Sequence, residues 1–425
     1  MKKFLFLLLI FPLLLLASPI HVRLSTAFEP QPLYLLVLPL DQKNTELEKV
    51  IRFDIANNGK SVLVKNVPEM DALLAKEAFT ESISYEKWKA RGVAHCLAIK
   101  TGKTFSAHLL DIQAGKSYQI SNLAPERQEM HLLSDKLMEL FFKTPGISQS
   151  HILFTLKQRI DKNHEVANVW ESDYDGANAR KLTNHTALCV TPCKGKEHFL
   201  FVSYESGQPK IHIGSKKSSS SEPFLRLRGQ QMMPVVSPNQ KHVAFISDVS
   251  GNPDLFLVDI DKNYQPINKP RQIYGTRFST QGTPAFSPNS KQIAFVSNQD
   301  GIARIYLIDI PKEGVSADKI KPRLLTKRRT GSTAPAWSPD GSKIAYSSGA
   351  DGFRQIWIYD LESAEELQLT SGNLDKENPT WAPDSLHLIY NAGNGEDDDL
   401  YLIDLNNRRP VRLTQTKGSA RFPSW

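Results

Sequence analysis

Apolar and polar residues change their spacing once along this chain. Up to about residue 145 two periods take turns. Leu33 to Leu40 is a continuous apolar run of the kind that makes a buried strand. Asp41 to Ile55 then sets Leu47, Val50, Ile51 and Ile55 at helical intervals, and Asn57-Asn58-Gly59 closes that helix. Ser61 to Val67 alternates as a strand. Met70 to Phe79 and Tyr85 to Lys89 read as helices, and Ala94 to Ile99 and Ser106 to Ile112 as strands. Glu126 to Phe142 is a long amphipathic helix with Met130, Leu133, Leu137 and Leu140 on one face, stopped by Thr144-Pro145-Gly146. Strands alternating with helices predict a small α/β domain.

From His151 onward the helical period disappears. Short apolar strands between turn clusters replace it, and they repeat. Pro335-Ala336-Trp337-Ser338-Pro339-Asp340-Gly341 leads into Ile344-Ala345-Tyr346, and related copies start at Pro234, Pro284 and Pro379. The chain stops on one truncated copy, Pro423-Ser424-Trp425. A weaker copy, Val190-Thr191-Pro192, leads into Phe199-Leu200-Phe201, with Leu188 standing where later copies have Pro. The leading prolines are 50, 51, 44 and 44 residues apart. A period of roughly 40 to 50 residues suits a four-stranded propeller blade.

Each repeat also holds an apolar strand that ends on Asp259, Asp309, Asp360 or Asp404. A Leu-Thr pair follows at Leu325-Thr326, Leu369-Thr370 and Leu413-Thr414. Val169 to Asp173 and Leu182-Thr183 reproduce this half of a repeat before the first full copy. Arg421 to Trp425 supplies the strand that this half lacks. Five full repeats and this composite make six blades, and joining the chain ends removes a free sheet edge. The segment from Lys216 to Ser221 has no counterpart later and reads as an insert. Trp337, Trp381 and Trp425 recur at one repeat position, which favours packing between blades over ligand stacking. The predicted fold is therefore a small α/β N-terminal domain followed by an all-β six-bladed β-propeller closed by the C-terminal strand. The boundaries are 1–19 for a signal peptide, 20–147 for the α/β domain with an N-terminal arm, and 148–425 for the propeller.

Composition narrows the setting. The chain is 40% hydrophobic and 23% charged, as globular proteins are. A net charge of +7 is modest for 425 residues and reads as a mixed solvated surface, with no nucleic-acid partner. Met1-Lys2-Lys3 and the apolar Phe4 to Ala17 form a run shorter than the roughly 20 residues of a membrane span. They read as a secretory signal peptide cut around Ala17 to Ile20. No second run is long enough to span, so an exported protein without stable membrane insertion is expected. Cys96, Cys189 and Cys193 do not make a disulfide framework. Cys189 and Cys193 either pair in an oxidising compartment or remain idle thiols.

Candidate chemistry is sparse. Gly102-Lys103-Thr104 lacks the glycine a phosphate-binding loop needs, and His164-Glu165 lacks the second histidine of a zinc-protease helix. Asp173-Tyr174-Asp175-Gly176-Ala177-Asn178 is rich in carboxylates but lacks the remaining calcium-loop ligands, and reads as a turn. No Gly-x-Ser-x-Gly elbow occurs. Lys327-Arg328-Arg329, Arg408-Arg409 and Glu396 to Asp399 read as solvated loop tips. No catalytic residue, metal or cofactor is expected.

The head motif of the repeat resembles the WD40-like propeller repeat. Three further features extend the resemblance to the whole chain: His21-Val22-Arg23-Leu24 after the signal, Thr144-Pro145-Gly146-Ile147 after the long helix, and Arg421-Phe422-Pro423-Ser424-Trp425 at the end. With an α/β domain before six blades, the chain resembles the TolB family of the Tol-Pal system in Gram-negative bacteria. That resemblance implies a non-enzymatic, monomeric scaffold of the periplasm that supports outer-membrane integrity and invagination at cell division. It implies that the propeller binds the peptidoglycan-associated lipoprotein Pal and that the arm binds TolA, with other outer-membrane proteins as further partners. On this chain the arm maps to His21, Val22, Arg23, Leu24 and Ser25. The Pal face maps to the loops just before the repeat prolines: Gln231 to Met233, Gln281 to Thr283, Thr333-Ala334, Glu377-Asn378 and Arg421-Phe422. The rival readings are an exported propeller enzyme, peptidase or glycan-active, and a propeller that binds peptides or sugars. An enzyme would gather acids or nucleophiles at the channel mouth, and Glu377 is the one strong candidate in those segments.

Overall fold

The apolar run beginning at Leu33 lies in a strand buried on both faces, β1 (Gln31–Leu38). The computed structural model describes residues 29–38, 45–162, 164–327, 331–415 and 417–425. The expected signal peptide and the arm at His21 to Ser25 lie outside these residues, as do Arg328 and Arg329. β1 pairs in parallel with β2 (Ser61–Leu63) on one side and β3 (His95–Lys100) on the other. From β3 the sheet continues antiparallel through β4 (Phe105–Asp111) to β5 (Lys116–Leu123). Helices α1 (Thr45–Ala56) and α4 (Arg127–Leu137) cover one face, where Val50, Ile51, Met130 and Leu133 meet Leu33, Leu35 and Leu97. Helices α2 (Pro68–Glu77) and α3 (Tyr85–Lys89) cover the other, packing Leu74 and Trp88 on Tyr34, Leu36 and Cys96.

Three elements of this region differ from the sequence expectation. The strand from Ser61 ends at Leu63, because Asn66 turns its side chain to the Leu35 carbonyl (2.9 Å) and to Asp71 (2.8 Å) and Pro68 opens α2. The long helix leaves α-geometry after Leu137, runs through a π-turn over Met138–Phe142, and stops at Lys143 with φ 56°. β5 was not anticipated. Its residues are mostly polar, and only Tyr118, Ile120 and Leu123 reach the core, so it carries little apolar signal.

Beyond residue 150 the described chain forms six four-stranded sheets. We number the blades by their innermost strands: Cys189–Lys194, Gln231–Val236, Gln281–Phe286, Thr333–Trp337, Asp375–Trp381 and, for blade six, Ser419–Ser424. These strands contact one another in order around a closed ring. Blade six is the expected composite, with Ser419–Ser424 antiparallel to His151–Arg159.

The repeated residues have repeated jobs. In the Leu-Thr pairs the Thr hydroxyl, just past the outermost strand, accepts a buried amide of the adjacent strand: Val169 to Thr183 (2.9 Å), Ile305 to Thr326 (3.0 Å), Ile356 to Thr370 (2.9 Å) and Leu400 to Thr414 (3.0 Å). In the turns, Ser237, Ser287 and Ser338 accept the amides of His242, Gln292 and Lys343, each at 2.9 Å. Turns also tie neighbouring blades, through Asn239 N to Ser290 Oγ (3.1 Å) and Asp340 N to Ser385 Oγ (2.9 Å). The indole of Trp381 donates to the Ala336 carbonyl of the preceding blade at 3.0 Å, whereas that of Trp337 stays within its own turn, on the Gly341 carbonyl.

Blade one corrects two readings. Pro192, not Leu188, takes the register of the later prolines: Val190 pairs with Val202 and Cys193 with Leu200, as Met232 pairs with Ile246 and Val235 with Ala244. What departs in this blade is the turn, where Lys194 to His198 replaces the longer path from Val236 to His242. The presumed insert is the outermost strand, Ser218–Pro223, in the place other blades fill with their own fourth strand. Cys189 and Cys193 are free, and burial pushes both thiols up to about 11, leaving little reactive thiolate at neutral pH.

Candidate partner-binding face

The segments before the repeat prolines are not loops. They lie within the innermost strands and form the same bulge six times. Thr191, Met233, Thr283, Ala334, Asn378 and Phe422 have positive φ of 48°, 53°, 36°, 51°, 53° and 53°, each one residue before its proline. At every one the strand register slips, so that two residues oppose one on the next strand. The proline has no N–H, and the ladder is already interrupted where that donor is missing. Left-handed backbone at a residue with a side chain costs about 1–2 kcal/mol, and six equivalent cases in one ring mark it as a built feature. Adjacent bulges touch: Thr283 N lies 3.1 Å from Met233 Sδ, and Ala334 N donates to Thr283 Oγ1 at 3.3 Å.

Gln231 and Gln281 belong to these segments but are buried. Gln231 bonds the Leu227 carbonyl at 3.1 Å, and Gln281 bonds Ser279 at 3.0 Å, so both side chains serve their own blades. Met233, Thr283, Thr333, Ala334, Glu377, Asn378, Arg421 and Phe422 are partly exposed around the ring.

The ring is electrostatically lopsided. Across blades four to six, Arg354 Nε lies 2.9 Å from Glu377 Oε1, Arg421 Nη2 lies 3.0 Å from Glu377 Oε2, and Arg421 Nε lies 2.8 Å from Asp398 Oδ2. Arg354 also donates to the Gly331 carbonyl at 3.1 Å and to Thr333. At the position of Glu377 and Arg421, one residue before the bulge, blades one to four carry Val190, Met232, Gly282 and Thr333, none of them charged. Arg354 and Asp398 were missed from sequence because neither sits beside a repeat proline. Asp398 belongs to the acidic run read as a solvated tip, yet it is buried; Glu396 and Asp397 are exposed.

Exposed apolar side chains gather on the end of the propeller where the innermost strands begin. Ile160, Val249, Ile302 and Phe353 sit at or beside the hairpins between second and third strands. Phe278 and Leu374 lie on connections entering innermost strands, and Phe278 is 91% exposed.

The α/β region occupies the opposite end. Asn406 Nδ2 donates to the Gly59 carbonyl at 2.7 Å. The buried Asp54 accepts the hydroxyls of Ser134 and Tyr174, both at 2.6 Å, and lies 2.9 Å from His131 Nδ1. His387 is wholly enclosed here, with Nδ1 2.6 Å from Asp384 Oδ2 and Nε2 2.8 Å from the Asn57 carbonyl. Two acceptors require two donors, which only the imidazolium supplies. Burial opposes that charge, but the Asp384 carboxylate, Asp404 and the Asn57 carbonyl outweigh it and raise the pKa above the ordinary 6.5. The contribution of His387 to stability is therefore complete below pH 6.5 and is lost as pH rises through the raised folded-state value. Chemical denaturation from pH 6 to pH 9 is expected to show this loss, and His387→Gln to flatten it. An equal slope in both proteins would contradict the assignment.

Residues 139–425 match the family model described as the TolB beta propeller domain. A TolB homolog of Protochlamydia amoebophila is 39% identical over 383 residues, 85% of this chain and 82% of that protein. A TolB homolog of Chlamydia abortus is 43% identical over 259 residues, an alignment that spans 60% of each chain. The crystal structure of TolB from Acinetobacter baumannii is 20% identical and superposes with a TM-score of 0.75 over 93% of this chain and 96% of its own, a likeness of fold. Among the described residues no helix is long and apolar enough to cross a membrane.

Proposed function

We propose, since the chain belongs to the TolB family, that it is a non-enzymatic periplasmic scaffold of the Tol-Pal system. In this reading it binds Pal at the propeller mouth and TolA through the arm at His21 to Ser25. The processed chain begins near residue 20 after export, and the complex supports the outer membrane during division.

The observation that supports a docking face is the end of the ring away from the α/β region. It combines rigid bulges, a neutralised chain of charges from Arg354 to Asp398, and exposed apolar residues at the rim. Rigid contact residues lose little entropy on binding, and central aromatic and arginine side chains carry most interface energy. Arg421 and Phe422 are such residues on the ring, and Phe278 is the exposed aromatic at its rim.

Purified processed chain is expected to bind Pal with a Kd in the micromolar range or tighter. Phe278→Ser removes an exposed side chain and is expected to weaken Pal binding about tenfold with an unchanged melting temperature. Deleting residues 20–27 is expected to abolish TolA capture and leave Pal binding intact. A folded protein that fails to bind Pal at micromolar concentrations would overturn the reading.

A further inference from the structure

We propose that His131, Asp173 and Asp175 form a Zn2+ site at the junction between the α/β region and blade six. One ligating atom of each lies within 4.8 Å of the others. His131 comes from α4, and the two aspartates from the end of the Glu165–Asp173 strand and the turn after it. The aspartates therefore reach the site from the propeller and the histidine from the α/β region.

The histidine is prepared for a ligand. It is 3% exposed, and its Nε2 is buried without a hydrogen-bond partner. A buried polar atom left unpaired is costly. Its other nitrogen, Nδ1, faces Asp54 Oδ2 at 2.9 Å. A carboxylate accepts only, so Nδ1 carries the hydrogen and Nε2 presents its lone pair. A carboxylate behind a ligating imidazole is the usual support of a metal-binding histidine. Asp54 is itself held by Ser134 and Tyr174. His151 Nε2 lies 3.6 Å from Asp173 Oδ1, outside the group of three, so water would complete the coordination.

The donor set favours a transition-metal ion such as Zn2+ over the alkaline-earth cations. Imidazole nitrogen with two carboxylates suits Zn2+, whereas Ca2+ and Mg2+ are bound by oxygen alone. Tetrahedral ligation at about 2.0–2.2 Å sets neighbouring donors roughly 3.4 Å apart, so the three side chains close inward slightly to bind. Arg127, one helical turn before His131, now reaches both carboxylates: its Nε lies 3.2 Å from Asp173 Oδ2, and Nη2 bonds Asp175. A cationic group is thus already accommodated there, and the partly exposed guanidinium swings outward when the metal enters. The bound ion would pin α4 to blade six.

The test uses the untagged processed chain, stripped with EDTA and titrated with ZnCl2 by calorimetry, with CaCl2 and MgCl2 as controls. The expected result is one Zn2+ per chain, a higher melting temperature, and no response to the control ions. Asp175→Asn is expected to weaken Zn2+ binding at least tenfold, and Arg127→Gln to strengthen it by removing the competitor. Co2+ in place of Zn2+ is expected to give visible absorption bands of tetrahedral coordination that Asp175→Asn abolishes. Absence of Zn2+ binding, or binding that neither substitution alters, overturns the proposal. His131→Gln is a further check where it folds; the Arg127→Gln and Asp175→Asn variants decide the matter without it.

Discussion

Removing the last seven residues, Ser419 to Trp425, unfolds the propeller. The segment is the innermost strand of blade six and is joined to three other places in the ring. It pairs with His151–Arg159. Ser424 Oγ accepts the amide of Lys194 in blade one at 2.9 Å, and Trp425 N donates to Thr380 Oγ1 in blade five at 3.2 Å. The Trp425 indole donates to Ser150 Oγ at 2.7 Å, at the entry to the ring. Without Arg421 the buried Asp398 loses its ion-pair partner, and Glu377 keeps only Arg354. A ladder of hydrogen bonds at about 1 kcal/mol each, with a buried carboxylate left unpaired, reaches the roughly 5 kcal/mol at which a domain's whole stability begins. The strand His151–Arg159 then becomes an open edge, which invites aggregation. Circular dichroism and size-exclusion chromatography of the truncated chain check this. A monomer melting within a few degrees of the full chain would show that the ring closes by other means.

The second large effect is at Asp54. Asp54→Ala is expected to cost about 3–5 kcal/mol, the range for removing one partner from a buried charged network. Ser134, Tyr174 and His131 lose their shared acceptor together, and Tyr174 also packs edge-on against Phe53 and His131. Burial, followed by the charge of Asp54 and its hydrogen bond, holds the Tyr174 hydroxyl well above its ordinary pKa, so the phenol stays a donor at every physiological pH. Asp54→Asn keeps the shape and one acceptor and is expected to cost less. Because this network spans the junction, Asp54→Ala is also expected to split thermal unfolding into two transitions. A single transition with a loss below about 1 kcal/mol would show the network to be dispensable.

The propeller was legible because its signals recur. A single Pro-x-Trp-Ser-Pro-Asp-Gly is a weak motif, but its truncated copy at Trp425 and the half repeat at Val169 to Thr183 together required a closed ring. The six bulges were hidden for the opposite reason. Thr191, Met233, Thr283, Ala334, Asn378 and Phe422 are of five residue types with no common chemistry, so no residue preference betrays their common φ. Leu188 was misplaced because the blade-one turn is short, which shifts a count made from the turn backwards. The junction was illegible because its partners are far apart in sequence: Asp54 on α1, His131 on α4 and Tyr174 at the end of a blade strand. On their own helices Asp54 and His131 look like ordinary polar positions. The carboxylate-rich turn at Asp173 stands out in the sequence, but nothing there links it to His131 on α4.

The bulges separate two duties that most binding surfaces combine in one residue. The backbone path is repeated in all six blades, while five kinds of side chain ride on it: a hydroxyl in two blades, and a thioether, a methyl, an amide and a phenyl in the others. The same path is taken with five different side chains, so no one of them sets its shape. The collar of the propeller is therefore a set of positions at which the side chain varies from blade to blade while the backbone path stays the same.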